Sequence, residues 1–335
     1  MSTDDRHATS SPMLADYFRL MACNGADHVY RTAIAAGLFD ELRGGALGVE
    51  ALATKTSVNP EALRLALDVL AALGLVTYED EAACLTALAV SLMDGPYRAL
   101  GDPYWKQLPE FLRTAEPMTH MDDPAESEAQ YVGQAAALAW MLGPAAAWAA
   151  GHLTSDGSPA DPCNILDAGA GSAIWSLSCA ARLPEARVTS ADWPAVLEVA
   201  RATALRMGLA DRLTLLPGDL AKTELPREEF DLAILANVAH LLTPDALTAL
   251  TERLVETLRP GGRLAVIDVF PGLAAGDLNR ALYTLGLALR TRTGQTHQPQ
   301  AVKQQLEHAG LVEVKFAPID CTPHTLGVVV GRRFR

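Results

Sequence analysis

The sequence predicts an α/β protein with a doubly wound sheet of parallel strands in its C-terminal half and a mainly helical domain in front of it. Three observations carry this. After residue 162 short apolar runs alternate with helical stretches. The first of those runs ends in a glycine-rich turn, Asp167-Ala-Gly-Ala-Gly-Ser-Ala173. Residues 13–95 instead show helical spacing of apolar positions, interrupted by one short pair of strands.

The chain has 335 residues, of which half are hydrophobic, so one large domain and a smaller one can each bury a core. A formal net charge of −13 repels phosphate backbones and argues against a nucleic-acid partner. The five cysteines, Cys23, Cys84, Cys163, Cys179 and Cys321, form no CxxC pair and no cluster with metal-ligand spacing. A reduced, cytoplasmic setting with no metal fits that usage. The opening MSTDDRHATSSP is polar and has no apolar core of a signal peptide, so it is expected to be a disordered lead-in.

The N-terminal elements follow in order. Leu14–Leu42 carries apolar residues at helical spacing, and Val49–Thr54 reads as a short helix. Asn59 followed by Pro60 is a cap with proline at the first helical position, opening the helix Glu61–Leu73, which Gly74 ends. Leu75–Tyr78 and Ala82–Leu85 form a hairpin, and Thr86 caps a further helix. Helix, helix, hairpin is the order of a winged helix-turn-helix. A DNA reader of that type needs basic residues on its second helix, whereas EALRLALDVLAAL has one Arg set against Glu61 and Asp68. The unit therefore reads as a module that pairs with a second copy and covers a substrate, rather than as a DNA reader.

Residues 96–130 read as an irregular, polar, proline-containing stretch with Tyr97, Tyr104, Trp105, Met118 and Met121, suited to lining a pocket. Tyr131–His152 is long and mostly apolar, yet Ala-rich and interrupted by Gly143-Pro144. That pattern predicts two buried helical segments rather than a membrane span. TSDGSPADP, 154–162, is the clearest linker. The expected division is 13–95 winged-helix domain, 96–153 connecting segment and 154–335 nucleotide-binding domain.

In the last region, Asn164–Leu166 is a strand that runs into the glycine turn and then the helix Ile174–Arg182. Strand, glycine turn and helix form the ligand crevice of a doubly wound fold, with Gly169 and Gly171 allowing close backbone approach. A turn of this kind alone is weak evidence for a ligand. The second strand, Arg187–Ala191, ends at Asp192, placed to accept from a ribose diol or to cap the helix Pro194–Met207. Trp193 lies where it can face an adenine or fill core. The third strand, Leu213–Leu216, leads to Gly218, Asp219 and Leu220, with Asp219 able to accept from an adenine amino group. The fourth, Phe230–Leu235, leads to Asn237 and His240. The helix Pro244–Leu258, a turn at Arg259–Gly262 and a fifth strand, Arg263–Ile267, end at Asp268. A dinucleotide places its pyrophosphate on the first helix N-terminus. Asp167 at the mouth of the turn would oppose it and would favour a ligand carrying a sulfonium and an ammonium, S-adenosylmethionine.

ILDAGAGSAIW, the acid in TSADWPAVLE, LLPGDL, FDLAILANVAH and LRPGGRLAVIDVFP resemble the successive motifs of class I methyltransferases. The chain over roughly 14–315 resembles small-molecule O-methyltransferases with an N-terminal winged-helix dimerisation domain, of the plant caffeic-acid and bacterial natural-product types. RTAIAAGLFDELRGG and VEALATKTSVNPEALRLALDVLAALGLVTYED are similar to that domain. The resemblance implies S-adenosyl-L-methionine as cofactor, held by Asp167, Gly169, Gly171, Asp192, Trp193, Gly218, Asp219, Leu220 and Asn237, and a homodimer. It implies a small, aromatic, hydroxylated acceptor, with His240 as the general base and Asp268 orienting it.

Two departures from the family pattern stand out. A second acid that often supports the base is replaced by Gly294-Gln295-Thr296-His297, and the residue after the base is Leu241 rather than Asp. His297 would enter the pocket or lie exposed in a loop. The same scaffold with a weaker base would suit N-, S- or C-methylation or a rearrangement that uses the cofactor. A non-catalytic binding protein on this fold is the alternative from another class.

Overall fold

The computed structural model describes residues 12–119, 121, 124–155, 163–272, 278–320 and 326–334. The chain forms two compact units, Met1–Arg98 and Ala99–Arg335. The boundary falls three residues beyond the expected one, and the segment expected as a connector belongs to the second unit. The polar N-terminus up to residue 11, most of the linker (156–162) and Cys321 lie outside the described residues.

In the first unit α1 (Pro12–Ala35) and α2 (Leu38–Leu42) are separate helices, because Gly37 takes φ 74° between them. They are followed by α3 (Val49–Thr56) and α4 (Pro60–Ala72). The Asn59 side chain accepts from Glu61 N at 2.9 Å and Ala62 N at 3.1 Å, so two of the orphan donors at the start of α4 are satisfied as the sequence implies. Strands β1 (Val76–Glu79) and β2 (Ala82–Leu85) pair antiparallel, and Leu47 bridges Ala83 on the far side of β2. Thr86 caps α5 (Ala87–Asp94) by accepting from Ala89 N. The Leu63, Leu67 and Leu70 stripe of α4 buries against Phe39, Leu42 and Leu52.

The second unit corrects two expectations. Residues 96–130 are not irregular: they contain the short helices α6 (Asp102–Trp105) and α7 (Leu108–Thr114). Beyond them Gly143-Pro144 does not break the chain, and α8 runs unbroken over Pro124–Thr154. An interior proline forfeits one backbone hydrogen bond and costs about 3 kcal/mol. Burial offsets that cost, since Ala135, Ala139, Leu142, Ala146, Ala149 and Leu153 recur at helical spacing and all are buried. Their small side chains let α8 lie close on the helices behind the first two strands. Among the described residues no helix is long and apolar enough to cross a membrane.

The rest is a seven-stranded sheet with helices on both faces. Its elements are β3 (Asn164–Ala168), α9 (Ile174–Ala180), β4 (Arg187–Asp192), α10 (Pro194–Met207), β5 (Leu213–Pro217) and β6 (Phe230–Ala236). Then come α11 (Pro244–Thr257), β7 (Leu258–Val269), α12 (Leu278–Ala288), α13 (Pro299–His308), β8 (Leu311–Ile319) and β9 (Leu326–Arg333). Strand order is β5-β4-β3-β6-β7-β9-β8, parallel through β7, with β9 antiparallel to both its neighbours. Alternate residues feed the two faces: Ile165, Leu232 and Ile267 bury with α8 and α9, while Leu166, Ala233 and Val266 bury with α11 and α13. The expected turn at Arg259–Gly262 falls inside β7, where the register with β6 shifts from Phe230↔Leu258 to Leu232↔Arg263. A Cβ on Gly262 would meet the Phe230 and Arg259 carbonyl oxygens at 2.9 Å, which is why glycine stands there. The chain winds outward from β3 in one direction and from β6 in the other, so the crevice of this sheet opens at the C-terminal ends of those two strands.

Candidate active site

The turn after β3 is held by its own hydrogen bonds. Gly169 N and Ala170 N both donate to Ala191 O, at 2.9 and 3.3 Å, and Gly171 N donates to Asp192 Oδ2 at 2.8 Å. Gly169 and Gly171 have φ of 71° and 55°, conformations that disfavour a side chain, and Ala173 takes φ 56° at the start of α9. Asp192 also accepts from Trp193 N at 2.7 Å, and its carbonyl accepts from Gly218 N. One carboxylate at the end of β4 thus ties the glycine turn of β3 to its own following residue. Burial pushes the Asp192 carboxyl up, the two amides pull it back, and Glu128 adds to the rise.

Around this turn lies a cavity of about 560 Å³, a size suited to a nucleoside-type ligand. Gly169, Gly171, Asp192, Trp193, Gly218, Asp219, Leu220 and Asn237 all line it. Its remaining wall is largely apolar, from Met121, Tyr131 and Leu138 on one side to Leu241, Leu242 and Leu250 on the other. Asp219 accepts from Ala221 N and pairs with Lys222 at 3.0 Å. Burial alone would raise its pKa, but Lys222, the Ala221 amide and Arg253 together carry it below the usual carboxylate value. Arg253 donates to the carbonyls of Leu220, Ala221 and Thr223, clamping the loop that carries Asp219.

The donor set decides between ligands. A pyrophosphate needs free amides on the glycine turn, and those of Gly169, Ala170 and Gly171 are already engaged. Asp192 spends two of its four lone-pair sites on backbone, leaving two for a diol. Asn237, at φ 56°, presents a side-chain amide whose Oδ1 is buried without a hydrogen-bond partner. An adenosine with a zwitterionic tail fits this set.

Asp167 sits elsewhere than the sequence suggests. It is 1% exposed, is no part of the cavity wall, and accepts from Ser176 Oγ at 2.5 Å. It is therefore not part of the wall that a ligand would meet. Burial pushes Asp167 up from 3.8 to about 7, with Ser176 opposing and Asp192 adding to the rise.

His240 and Asp268 meet as the strand order requires, because β6 and β7 are neighbours. Asp268 Oδ1 accepts from His240 Nδ1 at 2.8 Å and from Val269 N at 2.7 Å, while Oδ2 accepts from His240 N at 3.0 Å. Both residues are buried, at 6% and 2% exposure. Neither lines the cavity, but Leu241 and Leu242, directly after His240, do. The Tyr283 ring, on α12, and the imidazole pack edge to face at a centroid distance of 5.5 Å.

His297 is neither in the cavity nor exposed in a loop. It is buried, and its Nε2 reaches Ala239 O at 2.9 Å and Leu242 O at 3.1 Å, while Gln295 N donates to His240 O at 2.8 Å. Sequence reasoning read Gly294–His297 as a missing acid. It is a backbone brace on the turn that bears His240. Among the described residues no group of His, Cys, Asp and Glu could hold a metal.

Residues 165–262 match the family described as a methyltransferase domain. The chain is similar to demethylspheroidene O-methyltransferase of Rhodobacter capsulatus, 28% identical over 52% of this chain and 42% of that protein. It is also similar to L-tyrosine C(3)-methyltransferase of Streptomyces lavendulae, 27% identical over 50% of this chain and 47% of that protein. These matches span a little under half the length of either relative. Human N-acetylserotonin methyltransferase, solved in complex with S-adenosylmethionine, superposes with a TM-score of 0.71 over 99% of this chain and all of that one, at 22% identity.

Asp167 generates a test that needs no ligand. Its folded pKa lies above its unfolded value, so the stability it contributes is complete below pH 4 and is lost as the pH rises towards 7. Asp167→Asn cannot ionise and escapes that loss. Between pH 5 and pH 8 the parent should lose about 2 kcal/mol relative to the variant, a few degrees of melting temperature. Parallel melting-temperature profiles for the two proteins would contradict the placement of Asp167.

Proposed function

We propose, from the class I S-adenosylmethionine-dependent methyltransferase fold that this chain carries behind a mainly helical N-terminal unit, that it transfers a methyl group to the hydroxyl of a small aromatic metabolite. The observation that carries the hydroxyl reading is the buried His240–Asp268 pair beneath the wall of the cofactor cavity.

S-adenosylmethionine is the cofactor of this fold and supplies, when bound, an electrophilic methyl group on a sulfonium. Asp192 would accept from the ribose diol, Asp219 from the adenine amino group, and Trp193 would lie along the base. The engaged amides of the glycine turn keep that wall shaped before any ligand arrives, so little ordering is left to pay for on binding. The apolar side chains around the opening exclude water, which favours transfer from a charged donor to a weakly nucleophilic oxygen.

Proton removal falls to His240. Asp268 accepts from two backbone amides and from the imidazole, and an acceptor-only carboxylate holds Nδ1 as the protonated nitrogen. That leaves Nε2 to take the acceptor's proton. In place of a second carboxylate, Gln295 N and His297 Nε2 fix the carbonyls of the His240 turn. C-methylation is the second reading: an activated ring carbon needs less help from a base, and the supporting acid is absent from Gly294–His297.

Turnover of methyl-tritiated cofactor with a panel of phenols tests the proposal. His240→Ala should lower the rate by about 10²–10⁴-fold with cofactor affinity nearly intact, and Asp268→Asn should cost less. A rate within a few-fold of the parent would move the assignment to an acceptor that needs no base. No label transfer to any acceptor, with the cofactor bound, would favour a non-catalytic role.

The first unit is proposed to pair with a second copy of this chain. Leu14, Tyr17, Phe18 and Met21 are all exposed on α1, an apolar face that a second copy would cover. Light scattering at micromolar concentration should give twice the chain mass, and Phe18→Glu with Met21→Glu should halve it. A parent that scatters as a monomer would refute the pairing.

A further inference from the structure

The connections between β3 and β7 carry a helix in every case but one. α9 joins β3 to β4, α10 joins β4 to β5, and α11 joins β6 to β7, whereas residues 218–229 pass from β5 to β6 through turns and bends. A loop without a ladder of its own must satisfy its backbone groups elsewhere. Its amides turn inward. Lys222 N and Thr223 N donate to Asp219 O, Ala221 N donates to Asp219 Oδ1, and Gly218 N donates to Asp192 O. Three of its carbonyls turn to α11. Arg253 Nη1 donates to Leu220 O at 2.7 Å and to Ala221 O at 3.0 Å, and Nη2 donates to Thr223 O at 2.5 Å.

Arg253 thus ties the loop to a regular element, and it lines the same cavity as Asp219, Leu220 and Ala221. A planar guanidinium holds several carbonyls in a fixed geometry, which a flexible ammonium of the same charge does not reproduce. Its charge also bears on Asp219. Burial works to raise the pKa of that carboxyl, and Lys222, the Ala221 amide and Arg253 outweigh it. Lys222 supplies charge without fixing position, because its side chain is 79% exposed and an exposed pair is weakly held. The direction of the Asp219 carboxylate is set by the backbone that follows it, and Arg253 holds three carbonyls of that backbone.

We infer that Arg253 is a positioning residue for base recognition: by fixing the 220–223 backbone it holds the Asp219 carboxylate where it accepts from an exocyclic amino group, so that the cavity discriminates a 6-aminopurine from a 6-oxopurine. An ionised carboxylate only accepts hydrogen bonds, so it binds an amino group at that position and repels a carbonyl. A carboxylate on a loose loop would swing away from the carbonyl and lose the discrimination. One fixed beforehand cannot avoid the repulsion. The inference rests on the cofactor reading above.

Two ligands that differ at one position of the base test it. S-adenosylhomocysteine carries the amino group, and S-inosylhomocysteine carries a carbonyl in its place. Calorimetric titration of the full chain with both gives an affinity ratio. The parent should prefer the amino ligand by roughly 10–100-fold, the effect of exchanging a charge-assisted hydrogen bond for a repulsion. Arg253→Met should remove most of that preference by weakening the amino ligand. S-inosylhomocysteine should bind this variant at least as well as it binds the parent, which also shows that the variant is folded. In an Asp219→Ala background Arg253→Met should change the ratio no further, because it acts through that carboxylate. Arg253→Lys keeps the charge without the planar fork and should fall between the parent and Arg253→Met. If Arg253→Met binds neither ligand, Arg253→Lys decides. Equal losses for the two ligands, the mark of a merely structural role, would overturn the inference, as would a parent-like ratio in Arg253→Met or in Arg253→Lys. A parent that binds both ligands equally would remove Asp219 from the base and the inference with it. A parent that binds neither would overturn the cofactor reading itself.

Discussion

The Asp192 carboxylate is the constraint on which the site depends. It accepts from Gly171 N in the turn after β3 and from Trp193 N at the start of α10. The glycine turn, already bonded to the Ala191 carbonyl, is thereby also fixed to the start of α10. The carboxylate is mostly buried, which raises its pKa, and the two amides compensate for the lost water. Such an arrangement costs stability when empty of ligand and returns it when a diol fills the unused lone pairs. Glycine at 169 and 171 follows from the same geometry, since both backbones take positive φ to bring their amides round.

The His240–Asp268 pair repeats the pattern one strand further on. A carboxylate at the end of β7 accepts from the backbone and imidazole of the residue that follows β6. Here the buried acid holds one nitrogen of a ring and fixes the ring's orientation. The 291–297 segment adds its amide and imidazole to the same turn, doing with backbone carbonyls what a second acid would do with charge. This brace fixes position without adding negative charge beside His240. Methyl transfer depends mainly on alignment and dryness, so position is the property most worth fixing.

Elements with local punctuation were legible in the sequence. The start of α4 is written in Asn59-Pro60 and its end in Gly74, while α10 begins at Pro194 and ends before Gly208. The strand ends that carry Asp192, Asn237 and His240 were equally plain, because apolar runs stop there. What failed depended on contacts remote in sequence. Pro144 should break α8, yet an Ala-faced stripe buried on its neighbours outweighs the lost hydrogen bond. Asp167 looks like a ligand carboxylate, yet it is buried on Ser176, the third residue of α9, outside the cavity wall. His297 had no local signal at all, since its partners are carbonyls 55 and 58 residues away.

The account turns on one carboxylate ordering both the turn and the ligand, and a crystal structure with S-adenosylhomocysteine tests that most directly. The account predicts both ribose hydroxyls within about 2.6–3.2 Å of the Asp192 oxygens, with the Gly171 and Trp193 amides still bonded to the same carboxylate. A ligand seated with its ribose away from Asp192, or a glycine turn whose amides leave Asp192 to meet the ligand, would contradict it.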